Sequence, residues 1–281
     1  MTVDMRASAL DEDRAALLRA HAILAGHERA DLPTRFAVRP RELLSVAEVE
    51  RVLAVGLLRY PYLALVRDGV PVPIKEFTTG RRVAATDLAF YVDGPAVAAG
   101  FAAGATVVLN AMEDWHPPAD ALAGELTAAT GGRVQVTAFL TPPGARGLAV
   151  HRDDVHVYAI QLAGAKAWTL HAPPAGEAWA PGPLAEPPAD PVEHVTLAAG
   201  ECLFLRRGRP HAATAQDGVS LHISFTIRYP KVADVVRDVL LGRVADGGYL
   251  AADPDVAAAQ LRAAFAAVGL TGVDAAAVAA G

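Results

Sequence analysis

Two histidines and one aspartate in the second half of the chain have the types and spacing of metal ligands. His151 and Asp153 are two positions apart in the run GLAVHRDDVHVY, and His211 follows later in GRPHAAT. Residues i and i+2 of a strand point to the same side, so an imidazole and a carboxylate can face one point in space. A second histidine from another strand completes the two-histidine, one-carboxylate ligand set of non-heme Fe(II) oxygenases, which leaves open positions on the metal.

The surroundings of these residues predict strand ends. His151 follows a turn rich in proline and glycine and precedes the apolar run 155–162, while His211 follows the apolar run 202–205 and a second turn. Side chains at strand ends line the mouth of a β-barrel, where ligands bind. The triplet His-x-Asp alone is a weak signal, because it fixes only two residue types.

Longer stretches resemble the JmjC-type cupin oxygenases, the family that includes the ribosomal protein hydroxylases. Between residues 36 and 229 the stretches that carry the resemblance are LLSVAEVERVL, LALVRDGVPVP, GATVVLNAM, LTPPGARGLAVHRDDVHVYAIQLAGAKAW, LAAGECLFLRRGRPHAA and DGVSLHISF. The resemblance implies a double-stranded β-helix that holds Fe(II) through His151, Asp153 and His211. It also implies 2-oxoglutarate as cosubstrate, with Lys166 at the place of the family's basic residue, which pairs with the distal carboxylate.

Without the resemblance, Lys166 would be interpreted as a solvated side chain at the start of a strand, because lysine is seldom buried without a partner. Where the ribosomal hydroxylases carry an Asn and a Tyr, this chain has Thr137 and Phe139. We expect Thr137 and Thr226 to contact the cosubstrate, although threonine also favours strands through its β-branched side chain. His222, in the same strand as Thr226, is a candidate pocket residue.

Arg152 stands between two predicted ligands, at a position that is usually aromatic in the family. On a regular pleat its side chain points away from the metal but stays at the barrel mouth. One interpretation is a solvated arginine or an ion pair with Asp154 or another surface acid. The other is that Arg152, with Arg146 of the preceding loop, binds a carboxylate or phosphate of the substrate through its planar set of donors.

The pattern along the chain predicts a mainly β fold with helical flanks. With 281 residues, 53% of them hydrophobic, the chain can bury a sizeable core. We predict an N-terminal helical segment at 1–35, the JmjC/cupin double-stranded β-helix at 36–229 and a short C-terminal helical module at 230–281. In the family a helical module at this place makes a homodimer.

Capping and turn signals locate the individual elements. Ser45 with Glu48 forms a capping box that predicts a helix from Val46 to Leu53. Further helices are predicted over 87–103, 117–130 and 254–268. The proline-rich stretch 172–191 predicts a long loop, in which Trp179 either covers the mouth or fastens the loop to the barrel.

Composition excludes several classes of protein. The net charge of −6 argues against direct nucleic-acid binding, which needs clustered Lys and Arg. No apolar run is long enough to predict a signal peptide or a membrane span. A single cysteine, Cys202, cannot form an internal disulfide, which favours a cytoplasmic location.

The sequence leaves the substrate open. A side chain of a protein or peptide is the substrate that the resemblance favours, and hydroxylation of a small molecule in a tailoring pathway is the enzymatic alternative. A third interpretation is a metal-binding cupin scaffold without turnover. Lys166 argues against that scaffold, which would have no use for a residue that binds the cosubstrate.

Overall fold

The computed structural model describes residues 34–38, 43–176, 178–186, 188, 191–229 and 253–267. The chain divides into two compact units, Met1–Tyr229 and Pro230–Gly281. Most of the predicted helical segment at 1–35 and of the predicted module at 230–281 lies outside the described residues.

The first unit consists mainly of strands. Its strands are β1 Thr34–Ala37, β2 Leu63–Arg67, β3 Val70–Pro71, β4 Thr78–Val83, β5 Thr86–Val92, β6 Thr106–Leu109, β7 Arg133–Thr141, β8 His151–Arg152, β9 His156–Ala163, β10 Ala165–His171, β11 Gly182–Pro183, β12 Pro191–Ala198, β13 Glu201–Leu205, β14 His211–Ala215 and β15 Ser220–Arg228. The α-helices of the described residues are α1 Val46–Val55, α2 Gly94–Ala102, α3 Pro117–Thr130 and, in the second unit, α4 Pro254–Ala267.

Two antiparallel sheets form the barrel. The larger sheet has the order β1-β13-β9-β15-β7-β6-β2-β3, and the smaller one has the order β11-β8-β14-β10-β12. One apolar cluster joins residues of both sheets, including Val157 and Leu203 from the first and Trp168 and Leu197 from the second. The sheets therefore face each other as in a double-stranded β-helix, which confirms the predicted fold class.

Alternation along β7 separates the two sides of the larger sheet. Val134, Val136, Ala138 and Leu140 are buried in the core that also contains residues of the helices. The residues between them therefore point to the opposite side, toward the smaller sheet. That inner side carries the polar and aromatic residues of β7, whereas the outer side is covered by α1, α2 and α3.

Caps fix one or both ends of three helices, and those at Ser45 and Gly131 were predicted from the sequence. The backbone N–H of Glu48 donates to the Ser45 side chain at 3.2 Å, and α1 ends at Gly56, which has a φ of 63°. α3 has the predicted bounds and ends before Gly131, whose φ of 69° suits glycine. In the second unit, Asp253 accepts a hydrogen bond from the backbone N–H of Val256 at 3.2 Å and caps α4.

The helix predicted over 87–103 is wrong in its first part. Residues 86–92 form β5, which pairs with β4 in a separate two-stranded sheet. The helix begins only at Gly94, because Asp93 caps it through a 3.1 Å bond to the N–H of Ala96 and Pro95 lies in its first turn. The pairing with β4, a contact with another part of the chain, decides the structure of residues 86–92.

None of the helices in the described residues is long and apolar enough to span a membrane.

Candidate metal and cosubstrate site

A cavity of about 400 Å³ lies between the two sheets, and the predicted metal ligands and cosubstrate residues all line it. Along β7 the inward-facing residues become less exposed in chain order: Gln135 is exposed, Thr137 and Phe139 are partly buried, and Thr141 is fully buried. The cavity is therefore open near Gln135 and closed near Thr141.

His151, Asp153 and His211 come together at one side of the cavity. His151 begins β8 and His211 begins β14, and the two residues are paired directly across these strands. His151 Nε2 lies 3.6 Å from one carboxylate oxygen of Asp153, and His211 Nε2 lies 3.5 Å from the other. Strand β14 was not predicted from the sequence, and it is the element that brings His211 beside His151.

The backbone orients both imidazole rings. Nδ1 of His151 donates to the carbonyl of Ala149 at 2.8 Å, and Nδ1 of His211 donates to the carbonyl of Arg209 at 2.9 Å. With the proton on Nδ1, each ring has its lone pair on Nε2, the nitrogen that faces Asp153. Two nitrogen lone pairs and one carboxylate therefore converge on a common point.

The three ligand atoms fit a divalent transition metal. They lie within 4.8 Å of one another, and no other cluster of this kind occurs among the described residues. Burial, together with the nearby His151, lowers the pKa of His211 to about 4, so this ring is neutral and able to coordinate at pH 7. The donor set of two imidazoles and one carboxylate suits Fe(II) and leaves positions for other ligands.

Lys166 lies at the closed end of the cavity, on β10. Its side chain is 1% exposed, and its Nζ donates to Thr141 Oγ1 at 3.0 Å and to His222 Nδ1 at 3.2 Å. Burial lowers the pKa of Lys166 from its usual 10.5 to about 7. Among the described residues no carboxylate pairs with it, so a cation can be held here only at a cost in desolvation.

His222 lines the same cavity, as predicted. Its ring stacks on Phe139 with centroids 4.7 Å apart and planes 6° from parallel, and Trp168 meets it edge-on at 5.5 Å. Burial, and next the charge of Lys166, lower the pKa of His222 well below its usual value. His222 therefore remains neutral and can accept the hydrogen bond from Lys166.

Thr137 and Thr226 both line the cavity. Thr137 pairs across the strands with Ser224, and the Thr226 hydroxyl donates to the carbonyl of Gln135 at 3.2 Å. Thr226 is nearer the open end, whereas Ser224 lies between it and His222 on the same side of β15. The contacts of Thr137 and Thr226 with a cosubstrate remain predictions.

Thr141, Ser224 and Asn110 also belong to this region, although the sequence pattern did not single them out. Thr141 accepts the hydrogen bond from Lys166, and Ser224 and Asn110 line the cavity. The signal that could have identified two of them was the strand period, since Thr141 lies two positions beyond Phe139 and Ser224 two beyond His222.

The long loop is fastened to the turn before His211. Trp179 packs under the Arg207 guanidinium, 4.7 Å from the ring centroid, and a Cβ on Gly208 would lie 2.6 Å from the indole. Within the same loop, β11 pairs with β8. Of the two predicted roles of Trp179, the structure supports fastening the loop.

Arg152 and Arg146 lie outside the lining of the cavity in the described residues. Arg152 is partly buried and pairs in the strand with Gly182, while Arg146 is exposed. Asp154, one of the acids considered as a partner of Arg152, binds Arg207 at 2.5 Å and Arg228 at 3.2 Å.

Comparison with known proteins gives one family and several relatives. Residues 117–235 match the family model of the JmjC domain. Ribosomal oxygenase 1 of Rattus norvegicus is 37% identical over 94 residues, which cover 31% of this chain and 16% of that protein. The bifunctional lysine-specific demethylase and histidyl-hydroxylase NO66 of Dictyostelium discoideum is 40% identical over 92 residues, covering 31% of this chain and 18% of that protein. The chain thus spans less than a fifth of the length of these two relatives.

Solved structures of Escherichia coli YcfD have a similar fold. One is described as a ribosomal oxygenase in complex with cobalt and 2-oxoglutarate, and it matches with a TM-score of 0.55 and 16% identity over 88% of this chain and 66% of that chain. Another matches with a TM-score of 0.57 and 15% identity over 91% of this chain and 69% of that chain. The predicted resemblance to JmjC-type cupin oxygenases is confirmed.

Proposed function

We propose that this chain, which carries a JmjC domain at residues 117–235, is an Fe(II)- and 2-oxoglutarate-dependent oxygenase that hydroxylates a side chain of a polypeptide. One observation carries the proposal: a complete set of metal-ligating side chains and a buried, carboxylate-free lysine line the same cavity. The relatives named as ribosomal oxygenases and the YcfD complex with 2-oxoglutarate support it.

In this proposal His151, Asp153 and His211 hold Fe(II), and Lys166 binds the distal carboxylate of 2-oxoglutarate. Fe(II) with 2-oxoglutarate supplies the oxidising chemistry, in which O₂, 2-oxoglutarate and a C–H bond yield succinate, CO₂ and an alcohol. The protein orients both ligands and excludes water from the cavity. Thr141 and His222 accept hydrogen bonds from Lys166 and so fix where its third N–H can point.

The buried lysine argues for a cosubstrate rather than for a metal-binding scaffold. A desolvated ammonium without a charged partner is unfavourable, and an anion bound beside it removes that penalty. In a scaffold that binds only metal, an apolar residue at position 166 would be more stable. Lys166 thus favours a ligand with a carboxylate at the closed end.

The rest of the cavity favours an uncharged reacting group. Once the metal ligands and Lys166 are assigned, the described residues that remain are apolar or neutral, among them Val108, Asn110 and Leu148. A charged substrate side chain would be desolvated there without a counter-charge. Because Arg152 does not line the cavity, an acidic substrate group also has no partner next to the metal.

An anaerobic titration tests the proposed function. Fe(II) and 2-oxoglutarate added together should produce the weak visible absorption of a metal-chelated 2-oxo acid, and O₂ should then release succinate slowly even without substrate. Metal binding with neither signal would support the scaffold instead.

The homodimer implied for the segment 230–281 is also a proposal. Light scattering of the full chain at several concentrations should give twice the mass of 29.2 kDa. A monomer mass at every protein concentration would contradict the proposed homodimer.

A further inference from the structure

A second cavity, of about 810 Å³, lies on the outside of the barrel. We call it the flank groove. It is formed by the end of α1, the segment between α1 and β2, and the turn before α3, and its lining includes Val55, Leu57, Tyr60, Tyr62, Asp114 and Trp115. Its walls are thus mainly apolar and aromatic, and the lining also includes the charged residues Arg51, Arg59 and Asp114.

Several of these apolar side chains face solvent. Leu57 is 68% exposed and Val55 is 58% exposed, and the rings of Tyr60 and Tyr62 are more than a third exposed. Single exposed apolar residues are ordinary, but a contiguous group of them around a concave surface marks a binding site. Tyrosine and tryptophan are also the residues most used to anchor polypeptide partners.

Hydrogen bonds of Asn110 connect the flank groove to the catalytic cavity. Asn110 lines the catalytic cavity, and its backbone N–H donates to the carbonyl of Tyr62 at 2.8 Å. Its side-chain amide donates to the carbonyl of Pro61 at 2.8 Å, and Trp115 Nε1 donates to the Asn110 carbonyl at 3.0 Å. The residues that form the groove are therefore bonded directly to one that lines the site of reaction.

Hydrogen bonds and ring contacts hold the groove in shape. The Tyr62 hydroxyl donates to the Asp114 carboxylate at 3.3 Å. On the other side, Arg59 Nε donates to the Ala89 carbonyl at 2.9 Å, and its guanidinium lies 5.4 Å from the Tyr91 ring centroid. A surface that is already ordered loses less entropy when a ligand binds.

We propose that the flank groove binds the segment of the substrate polypeptide that lies next to the hydroxylated residue, through apolar side chains of that segment. The proposal rests on the proposed function and specifies its substrate class. A chain that places one side chain in the catalytic cavity must leave it across a neighbouring surface, and Tyr62 of the groove is bonded to Asn110 of the cavity lining. A small metabolite, by contrast, would fit within the catalytic cavity and would make no use of the groove.

Photo-crosslinking tests the occupant of the groove. p-Benzoylphenylalanine is introduced in the full chain at Leu57, and as a matched control at Val83, which is 50% exposed on β4 and outside the groove lining. Each protein, with Fe(II) and 2-oxoglutarate under anaerobic conditions, is irradiated with a pool of random 15-residue synthetic peptides. Peptides captured at position 57 should be enriched in apolar residues relative to those captured at position 83. After O₂ is admitted, they should carry an added oxygen within a few residues of the crosslink.

A charge variant adds a kinetic test. Leu57→Asp should raise the KM for hydroxylated peptides from the pool by about tenfold or more, since burial of a leucine contributes on that scale. Succinate release without peptide should be unchanged, because Leu57 lies outside the catalytic cavity. Val83→Asp should change neither quantity.

Three results would overturn the proposal: equal peptide capture at both positions, crosslinks that join position 57 of two copies of the chain, or normal peptide KM in Leu57→Asp. Failure of the proposed function looks different. If the native protein releases no succinate but apolar peptides are still captured at position 57, the groove is a peptide site and the oxygenase assignment is wrong.

Discussion

The Nζ atom of Lys166 lies 3.2 Å from Nδ1 of His222, at the closed end of the catalytic cavity. Because burial keeps His222 neutral, the imidazole acts as an acceptor and does not repel the ammonium. The second acceptor, Thr141, is also neutral, so the lysine is positioned without being charge-compensated. This arrangement makes both the stability of the protein and its affinity for a carboxylate depend on pH.

Stability without cosubstrate should rise with pH. Lys166 has a pKa of about 7 in the folded protein, against 10.5 for an unperturbed lysine. Between these two values the unfolded chain holds a proton that the folded one has lost, so the free energy of unfolding increases with pH across this window. Urea unfolding of the native protein and of Lys166→Met should be compared over the window. If the free energy of unfolding changes with pH by the same slope in both proteins, Lys166 does not contribute to the pH dependence.

Affinity for 2-oxoglutarate should change in the opposite direction. A bound carboxylate raises the pKa of Lys166, so binding above pH 7 takes up a proton. The affinity for 2-oxoglutarate should be highest below about pH 7. Above that pH it should fall by up to about tenfold for each pH unit. Calorimetry in two buffers of different ionisation enthalpy measures the proton uptake directly. The variant Lys166→Met should bind 2-oxoglutarate weakly at every pH, and its affinity for Fe(II) should be unchanged. An equal loss of affinity for 2-oxoglutarate and for Fe(II) would indicate a structural role for the lysine.

Local pattern was sufficient to predict the longer barrel strands, such as β7, β9 and β15, and the candidate ligand residues. In β7 and β15, apolar residues that face the core alternate with polar and aromatic residues that face the cavity, and this period of two is visible in the sequence. His151 and Asp153 are two positions apart in the chain, so their proximity could be expected from the sequence, although β8 ends at Arg152 and Asp153 lies just beyond it. The same period places Thr137 and Phe139 on the cavity side.

Contacts between distant parts of the chain could not be predicted in this way. The stack of His222 on Phe139 depends on the register of β15 against β7, and the position of His211 depends on the pairing of β14 with β8. Residues 86–92 have a helix-compatible composition but pair with β4. The contact of Trp179 with Gly208 likewise depends on where the long loop returns to the barrel.

Removal of either histidine should abolish metal binding. In His151→Ala or His211→Ala only one imidazole and one carboxylate remain, and two protein ligands hold a labile divalent ion poorly. Anaerobic calorimetry with Fe(II) measures the loss, and the exposed His194 on β12 provides a control, His194→Ala, that should bind normally. Normal binding in either ligand variant would show that the metal lies elsewhere.

A carboxylate in place of Asn110 should change the charge preference of the cavity. Asn110 is one of the neutral residues that line it, and Asn110→Asp would offer a counter-charge to a cationic side chain. Mass spectrometry of a random peptide pool should show added oxygen mainly on uncharged residues with the native protein and a gain on Lys or Arg with the variant. Asn110→Ala, which adds no charge, should show no such gain. Oxygen added mainly to cationic residues by the native protein would contradict the neutral cavity.

The turn at Gly208 connects the long loop to two of the candidate ligands. Its N–H donates to the carbonyl of Asp153 at 2.9 Å, and it precedes His211 by three residues. In Gly208→Ala the new methyl group would meet the Trp179 ring at 2.6 Å, and the φ of 83° is unfavourable for any residue with a Cβ.

We therefore expect Gly208→Ala to lower the free energy of unfolding by about 1–3 kcal/mol and to weaken Fe(II) binding. Gly218→Ala is the matched control, because no atom lies within 4 Å of the position that its new methyl group would take and its φ is outside the left-handed region. The double variant Gly208→Ala with Trp179→Ala separates the two causes. It should recover part of the stability if the clash with the indole contributes, and none of it if the backbone angle alone is responsible. Chemical unfolding and anaerobic Fe(II) titration of the four proteins measure both effects, and unchanged metal affinity in Gly208→Ala would show that the turn does not position the ligands.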